Sequence, residues 1–204
     1  MNKQYGLSLV ELMITITLGL LLMAALTAVF SNTLGVNSRS LKLSQLNEEA
    51  TVVMDLMVGD LRRAGYRADA AELIYDPANA STAFNDTVKV FSNPDGLANS
   101  CIVFSYDENS DGEYQSANED FGYRLFGGGV LQRRRASNSC DAGGWEGLTK
   151  LDLLQVTELE FILTEQMINL VNEQRVTITM TVALPSDPEI TRTMVSEVVI
   201  RNAF

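Results

Sequence analysis

The most informative absence in this sequence of 204 residues is histidine, of which there is none. Without histidine the chain cannot form a Ser-His-Asp triad, a Cys-His nucleophilic pair or a metal site with an imidazole ligand. Most enzymatic interpretations lose their support for this reason. No group of residues in the sequence suggests the catalytic site of a membrane-anchored enzyme. We therefore expect no enzyme activity and name no catalytic residue.

Positive charge is also scarce, since 15 Lys and Arg stand against 26 Asp and Glu and give a formal net charge of −11. Such a surface repels nucleic acid on average. The basic run Arg133–Arg135 has no aromatic residues beside it, and it is more typical of a solvated strand end, or of partners for an acidic loop, than of a nucleic-acid patch. Nucleic acid is therefore not expected as a partner, and DNA contact stays an alternative.

Cysteine is limited to two residues, Cys101 and Cys140, both far from the N-terminus. If the short charged start that contains Lys3 stays in the cytoplasm, the rest of the chain faces the periplasm or the exterior, where disulfides persist. We then expect a disulfide between Cys101 and Cys140. Two buried free thiols are the alternative.

Proline is absent from residues 1–76, and within them Leu12–Phe30 holds 19 residues without a charge. As a helix this run would extend about 28 Å, enough to cross the hydrocarbon core of a bilayer. The six residues before it, ending in Gly6, are too few for the charged region of an ordinary secretory signal. Glu11 lies near one end of the run, and a bare carboxylate at hydrocarbon depth costs about 3 kcal/mol, so we expect it to have a partner.

The start of the chain resembles the type IV pilin family, whose pattern is a glycine, a hydrophobic residue, three further residues and a glutamate, followed by an apolar run. Gly6, Leu7 and Glu11 match it, although Leu7 stands where phenylalanine is usual. The resemblance implies that a prepilin peptidase cuts after Gly6 and methylates Leu7, and that Glu11 serves filament assembly. A plain signal anchor with an isolated glutamate is the alternative.

The helical pattern continues beyond Phe30 and becomes amphipathic, with polar residues such as Asp60 on the other faces. It predicts one helix from about Leu9 to Ala64, closed by Gly65 as a left-handed cap. The apolar stripe of its second half consists of Leu43, Leu46, Ala50, Val53, Met57, Leu61 and Ala64.

The remaining chain predicts strands after an irregular stretch at residues 66–100. Period-two alternation and turn signals mark them, and Gly127–Gly129 predicts a hairpin turn rather than a phosphate-binding loop. The predicted strands are Val88–Phe91, Cys101–Tyr106, Tyr123–Phe126, Val130–Arg133, one around Leu159–Leu163, one around Val176–Leu184 and one at about Thr191–Arg201. The last three make an antiparallel meander whose apolar face covers the helix stripe.

These patterns predict an α+β fold, in which a long N-terminal helix with a transmembrane half and an amphipathic half packs against an antiparallel β-sheet head. The resemblance to type IV pilins implies that this is the pilin fold. The predicted parts are a leader at residues 1–6, the transmembrane half at 7–30, the amphipathic half at 31–65 and a periplasmic head at 66–204.

The chain resembles PilW-type minor pilins more closely than major pilins. The stretches that carry this resemblance are Asn47–Ala50, Asp60–Tyr66, Phe121–Arg124, Gly143–Glu146 and Ser196–Asn202. It implies a structural subunit that helps to initiate a type IV pilus at the inner membrane and lies at the filament tip on the cell surface. The implied partners are the prepilin peptidase, other minor pilins, the major pilin and the inner membrane. A J-type minor pseudopilin of a type II secretion system, or a tip module that binds a ligand or DNA, is the alternative.

One acidic stretch predicts a metal site. Asp107, Asn109 and Asp111, followed by a glycine, repeat the first half of an EF-hand calcium loop, and Glu113 would add its backbone carbonyl. The twelfth position is Asn118 instead of the usual bidentate glutamate. Calcium is therefore one expectation for this loop, and a solvated acidic hairpin without a cofactor is the other.

Overall fold

The structure, a computed structural model, describes residues 8–76, 81–93, 97–168 and 171–201, and the chain forms two compact units, Met1–Ser44 and Gln45–Phe204. Helix α1 extends from Leu9 to Leu61, as the apolar and amphipathic patterns predict. In the first unit, every described residue from Ser8 to Leu41 is exposed. This part of α1 therefore presents apolar side chains on all of its faces.

The part of α1 in the second unit buries one face. Leu43, in the first unit, is 40% exposed, but the other predicted stripe residues are buried. Asp60 lies in the buried face and is only 5% exposed, so its predicted place among the solvated polar residues is wrong. Asp60 can be buried because residues distant in sequence interact with its carboxylate. The Tyr123 hydroxyl donates a hydrogen bond to Asp60, and the Arg133 guanidinium lies 3.8 Å from the Asp60 carboxylate. The buried stripe of α1 consists of Leu46, Ala50, Val53, Met54, Met57, Val58 and Leu61.

The helix ends in a turn at Arg62–Gly65. Gly65 has φ of 75°, a left-handed conformation that glycine adopts without a Cβ clash, and its N–H donates to the Ser105 carbonyl at 2.9 Å. The predicted left-handed conformation of Gly65 is therefore confirmed, but its N–H bonds to Ser105 instead of to a carbonyl of α1. A short helix, α2, follows at Glu72–Tyr75 within the stretch predicted to be irregular.

Five strands form the first sheet, which is antiparallel throughout and ordered β1-β2-β3-β4-β5. β3 starts at Asp120, three residues before the predicted Tyr123, because Gly122 does not interrupt the strand. A Cβ at Gly122 would lie 2.5 Å from the Ile102 carbonyl oxygen, so the glycine permits close pairing. The strands are β1 at Lys89–Phe91, β2 at Cys101–Ser105, β3 at Asp120–Phe126, β4 at Val130–Arg133 and β5 at Glu146–Gly147.

The second sheet is the predicted antiparallel meander, β6 at Gln155–Ile168, β7 at Val171–Leu184 and β8 at Asp187–Ile200. Its alternation is confirmed in β7, where Val176, Ile178 and Met180 are fully buried. β8 begins about four residues before the predicted start and includes Pro188. An edge strand tolerates proline because the missing N–H costs no inner ladder bond.

One hydrophobic core joins the second half of α1 to both sheets. Helix residues such as Leu46 and Met57 belong to it, together with Phe104 and Tyr123 from the first sheet and Phe161 from the second. The predicted α+β fold, with a long N-terminal helix packed against antiparallel sheets, is therefore confirmed.

Candidate functional site

The predicted processing residues, Gly6 and Leu7, lie with the leader outside the described residues. Their roles in cleavage and methylation therefore remain predictions. The described chain starts at Ser8, and α1 starts one residue later at Leu9.

Glu11 lies in the first turn of α1. Its Oε2 accepts a hydrogen bond of 3.3 Å from the backbone N–H of Ser8, the residue that precedes the helix. This is half of a capping box, and it places a carboxylate at the positive end of the helix dipole. Because Glu11 is also exposed, it can meet a second group without giving up its cap.

The apolar part of α1 carries polar hydroxyls that are satisfied within the helix. Thr15 Oγ1 donates to the Leu12 carbonyl at 2.8 Å, and Thr27 Oγ1 donates to the Met23 carbonyl at 2.7 Å. A hydroxyl that is already hydrogen-bonded costs less in hydrocarbon than a free one. Among the described helices, α1 alone is long and apolar enough to cross a membrane.

The predicted disulfide is confirmed, since Cys101 at the start of β2 is bonded to Cys140 in the loop between β4 and β5. Both cysteines are buried beside Trp145, whose Nε1 donates to the Ser139 carbonyl at 3.0 Å. The covalent bond and the indole therefore hold the same loop against the first sheet.

A buried arginine supports this loop from inside. Arg124 on β3 donates from one terminal nitrogen to the Cys140 carbonyl at 2.5 Å and to the Ala142 carbonyl at 2.9 Å. Its guanidinium lies 4.5 Å from the ring centre of Phe126 and 4.6 Å from that of Trp145. Two carbonyls and two aromatic faces thus stabilise the charge.

The acidic loop joins β2 to β3, and the structure brings together only part of the predicted ligand set. Asp107 and Asp111 lie close to each other, but Asn109 bonds to Asp111 instead of completing the group. Asn109 Nδ2 donates to Asp111 Oδ2 at 2.8 Å, and Asn109 Oδ1 accepts from the Asp111 N–H at 3.0 Å. The side chain of Glu113 is exposed, and its N–H donates to Asp111 Oδ1 at 2.8 Å.

A third acidic residue, Glu119, lies beside Asp107 and Asp111 and was not part of the ligand set predicted from the sequence. One carboxylate oxygen each from Asp107, Asp111 and Glu119 lie within 4.8 Å of one another. If Asp107 is the first position of the loop, Glu119 is the thirteenth, one place beyond the EF-hand glutamate. Burial raises the pKa of Glu119 above its ordinary value, and repulsion from Asp107 raises it further.

The three arginines of the basic run each lie near a carboxylate. Arg133 is 3.8 Å from Asp60, Arg134 is 3.9 Å from Asp120, and Arg135 is 4.0 Å from Glu146. The nearby acids reduce the positive potential that a phosphate backbone would meet.

Two protein families match this chain. The family described as "Prepilin peptidase-dependent protein B" matches residues 39–200, and the family described as "Prokaryotic N-terminal methylation motif" matches residues 1–27. No curated protein and no solved structure matches it. The apolar helix that begins within the match to the methylation motif is consistent with a single-pass membrane anchor. Since the first match covers most of the sequence, the chain belongs to the prepilin peptidase-dependent protein B family of type IV pilin-like proteins.

Proposed function

We propose that this protein is a minor pilin that helps to initiate a type IV pilus at the inner membrane and lies at the tip of the filament. The single observation that carries the proposal is that every described residue from Ser8 to Leu41 is exposed, on an apolar helix that begins within the residues matched by the methylation motif. The role is structural, and no catalytic step is assigned to it.

The exposed apolar surface of α1 must be shielded from water both while the subunit is in the membrane and after it has entered the filament. Leu20, Leu21 and Leu22 are each about two-thirds exposed, and full burial of one such side chain contributes about 2 kcal/mol. Lipid covers this surface while the subunit is in the membrane. In the filament, the apolar helices of neighbouring minor and major pilins replace the lipid.

In this proposal, Glu11 sets the axial register between neighbouring helices of the filament. Cleavage after Gly6 leaves the charged amine of Leu7 at the edge of the apolar run, four residues before Glu11 in the sequence. A carboxylate and an amine from different subunits attract strongly in a medium of low dielectric constant, and each is penalised there when alone. Their pairing therefore favours one axial register between neighbouring helices.

The disulfide supports a head on the outer side of the inner membrane. Cys101 and Cys140 are paired, and disulfides persist in the periplasm and at cell surfaces. The head would then reach the surface at the end of the growing pilus.

The test is a chromosomal deletion complemented by the full-length gene. We expect few or no surface pili in the deletion strain, restored pili after complementation, unchanged protein secretion, and immunogold labelling of the head at one filament end. Normal piliation in the deletion strain would contradict the proposal. Intact pili with lost secretion would instead identify a J-type minor pseudopilin.

A further inference from the structure

Two buried carboxylate oxygens in the loop between β2 and β3 have no hydrogen-bond donor among the described residues. They are Oδ1 of Asp107 and Oε1 of Glu119, on side chains that are each 1% exposed. The second oxygen of each carboxylate is satisfied. Asp107 Oδ2 accepts from the N–H groups of Ala68 and Gly112, both at 3.0 Å, and Glu119 Oε2 accepts from the Gln115 N–H at 2.6 Å.

Among the described residues, no ion pair balances the charge of these carboxylates, although Arg67 attracts Asp107 at longer range. Within the described part of the chain, no Lys or Arg forms an ion pair with Asp107, Asp111 or Glu119. Arg67 approaches this region, but it forms a two-point pair with Asp69 and donates to the Ser81 carbonyl. Buried carboxylates are costly unless they are paired, protonated or bound to a metal.

Carboxylate oxygens of Asp107, Asp111 and Glu119 are close enough together to bind a single small cation. Ligands that lie 2.3–2.6 Å from a calcium ion can be no more than about 5 Å apart. One oxygen from each of Asp107, Asp111 and Glu119 meets this limit, because they lie within 4.8 Å of one another. An all-oxygen set with three carboxylates suits a hard cation such as calcium better than zinc, which favours nitrogen and sulfur ligands.

The cluster lies against the segment that follows α1. Besides the bond from Ala68, the Asp107 N–H donates to the Tyr66 carbonyl at 2.9 Å, and the Gly65 N–H donates to the Ser105 carbonyl at 2.9 Å. An ion at the cluster would thus restrain the loop and the chain after the helix together.

We propose that Asp107, Asp111 and Glu119 each supply one carboxylate oxygen to a calcium ion, which fastens the loop between β2 and β3 to the segment Gly65–Ala68. Glu119 replaces the side chain of Asn109 and the carbonyl of Glu113 in the ligand set expected from the sequence. Calcium outside the cytoplasm is abundant enough for such a site, because extracellular modules bind it at roughly 0.1–1 mM.

The test uses the full-length chain in detergent, stripped with a chelator and dialysed. Calcium binding is measured by calorimetry, and thermal unfolding is followed with and without about 2 mM calcium. We expect one bound ion and a rise of roughly 5 °C in the melting temperature. Glu119→Gln keeps the side-chain shape and an acceptor for the Gln115 N–H, but it should weaken calcium binding at least about tenfold, since affinity follows the ligand charge.

Glu113→Gln is the matched control, because it removes the same charge from an exposed position of the same loop. We expect it to bind calcium like the wild type. Equal weakening by the two variants would show diffuse attraction to an acidic loop and would overturn the site. Absence of calcium binding in the wild type, or an equal rise in melting temperature with magnesium, would overturn it as well.

Discussion

The hydroxyl of Tyr123 on β3 donates a hydrogen bond of 2.5 Å to Oδ2 of Asp60 on α1, and Asp60 is only 5% exposed. Burial, reinforced by the hydrogen bond to Asp60, raises the pKa of Tyr123 far above its ordinary value. The phenol therefore remains a donor at any physiological pH. This contact fixes the last turns of α1 against the first sheet through a buried polar pair.

Replacing Tyr123 by phenylalanine should destabilise the protein by about 1–3 kcal/mol, because the variant leaves a buried carboxylate without its main donor. Arg133, at 3.8 Å, can replace only part of that interaction. The measurement is equilibrium unfolding of the full chain in detergent, followed by the fluorescence of Trp145, the single tryptophan. Tyr75→Phe is the control, since Tyr75 is 86% exposed and should not change the stability. Equal stability of both variants would contradict a stabilising role for the Asp60 contact.

Loss of the disulfide should cost about 4 kcal/mol on the loop-entropy model, given the separation of 39 residues between Cys101 and Cys140. The measurement compares unfolding of the exported protein with and without reductant. A Cys101→Ala/Cys140→Ala double variant is the control and should not respond to reductant. Equal alkylation of the native protein's cysteines before and after reduction would show that the bond does not form in the cell.

Processing should occur between Gly6 and Leu7, which leaves 198 of the 204 residues. We expect mass spectrometry of the membrane-extracted protein to find Leu7 as an N-methylated terminus. Gly6→Val should block cleavage, whereas Gly19→Val should not, because Gly19 lies within α1 with open space around it. A retained Met1 in peptidase-competent cells would refute the processing site.

The sequence predicted the elements whose signals are local. The apolar run and the stripe that contains Leu46 and Met57 predicted α1, because helical periodicity reports the buried face directly. Alternation at Val176, Ile178 and Met180 predicted β7 for the same reason. The left-handed conformation of Gly65 was also predictable, since glycine adopts it without a steric penalty.

The sequence missed groups whose environment depends on distant residues. Asp60 carries a charge, so helix periodicity placed it in solvent, but its partners Tyr123 and Arg133 lie on strands more than 60 residues further along the chain. Glu119 was missed because the EF-hand pattern assigns the last ligand to the position of Asn118. Whether Glu119 can join the cluster depends on where its buried carboxylate points in the folded loop. The spacing of residues in the sequence does not give that direction.

We expect the N-terminal part of α1 to assemble into a filament through Glu11, and two substitutions separate the charge of Glu11 from its role as a helix cap. Glu11→Gln can still accept the Ser8 N–H but loses the charge, whereas Glu11→Ala loses both. Glu48→Gln makes the same change at an exposed position of α1 beyond the apolar run and serves as the control. Membrane insertion should be intact in all three variants.

The most direct measurement is co-purification of each full-length variant with partner pilins from membranes, combined with a count of surface pili. Pairing of Glu11 with a neighbouring amine predicts that both Glu11 variants recover less partner pilin and fewer pili, and that Glu48→Gln matches the wild type. Loss in Glu11→Ala alone would show that the carboxylate acts only as a helix cap. Wild-type recovery and piliation in both Glu11 variants would contradict a role of Glu11 in assembly.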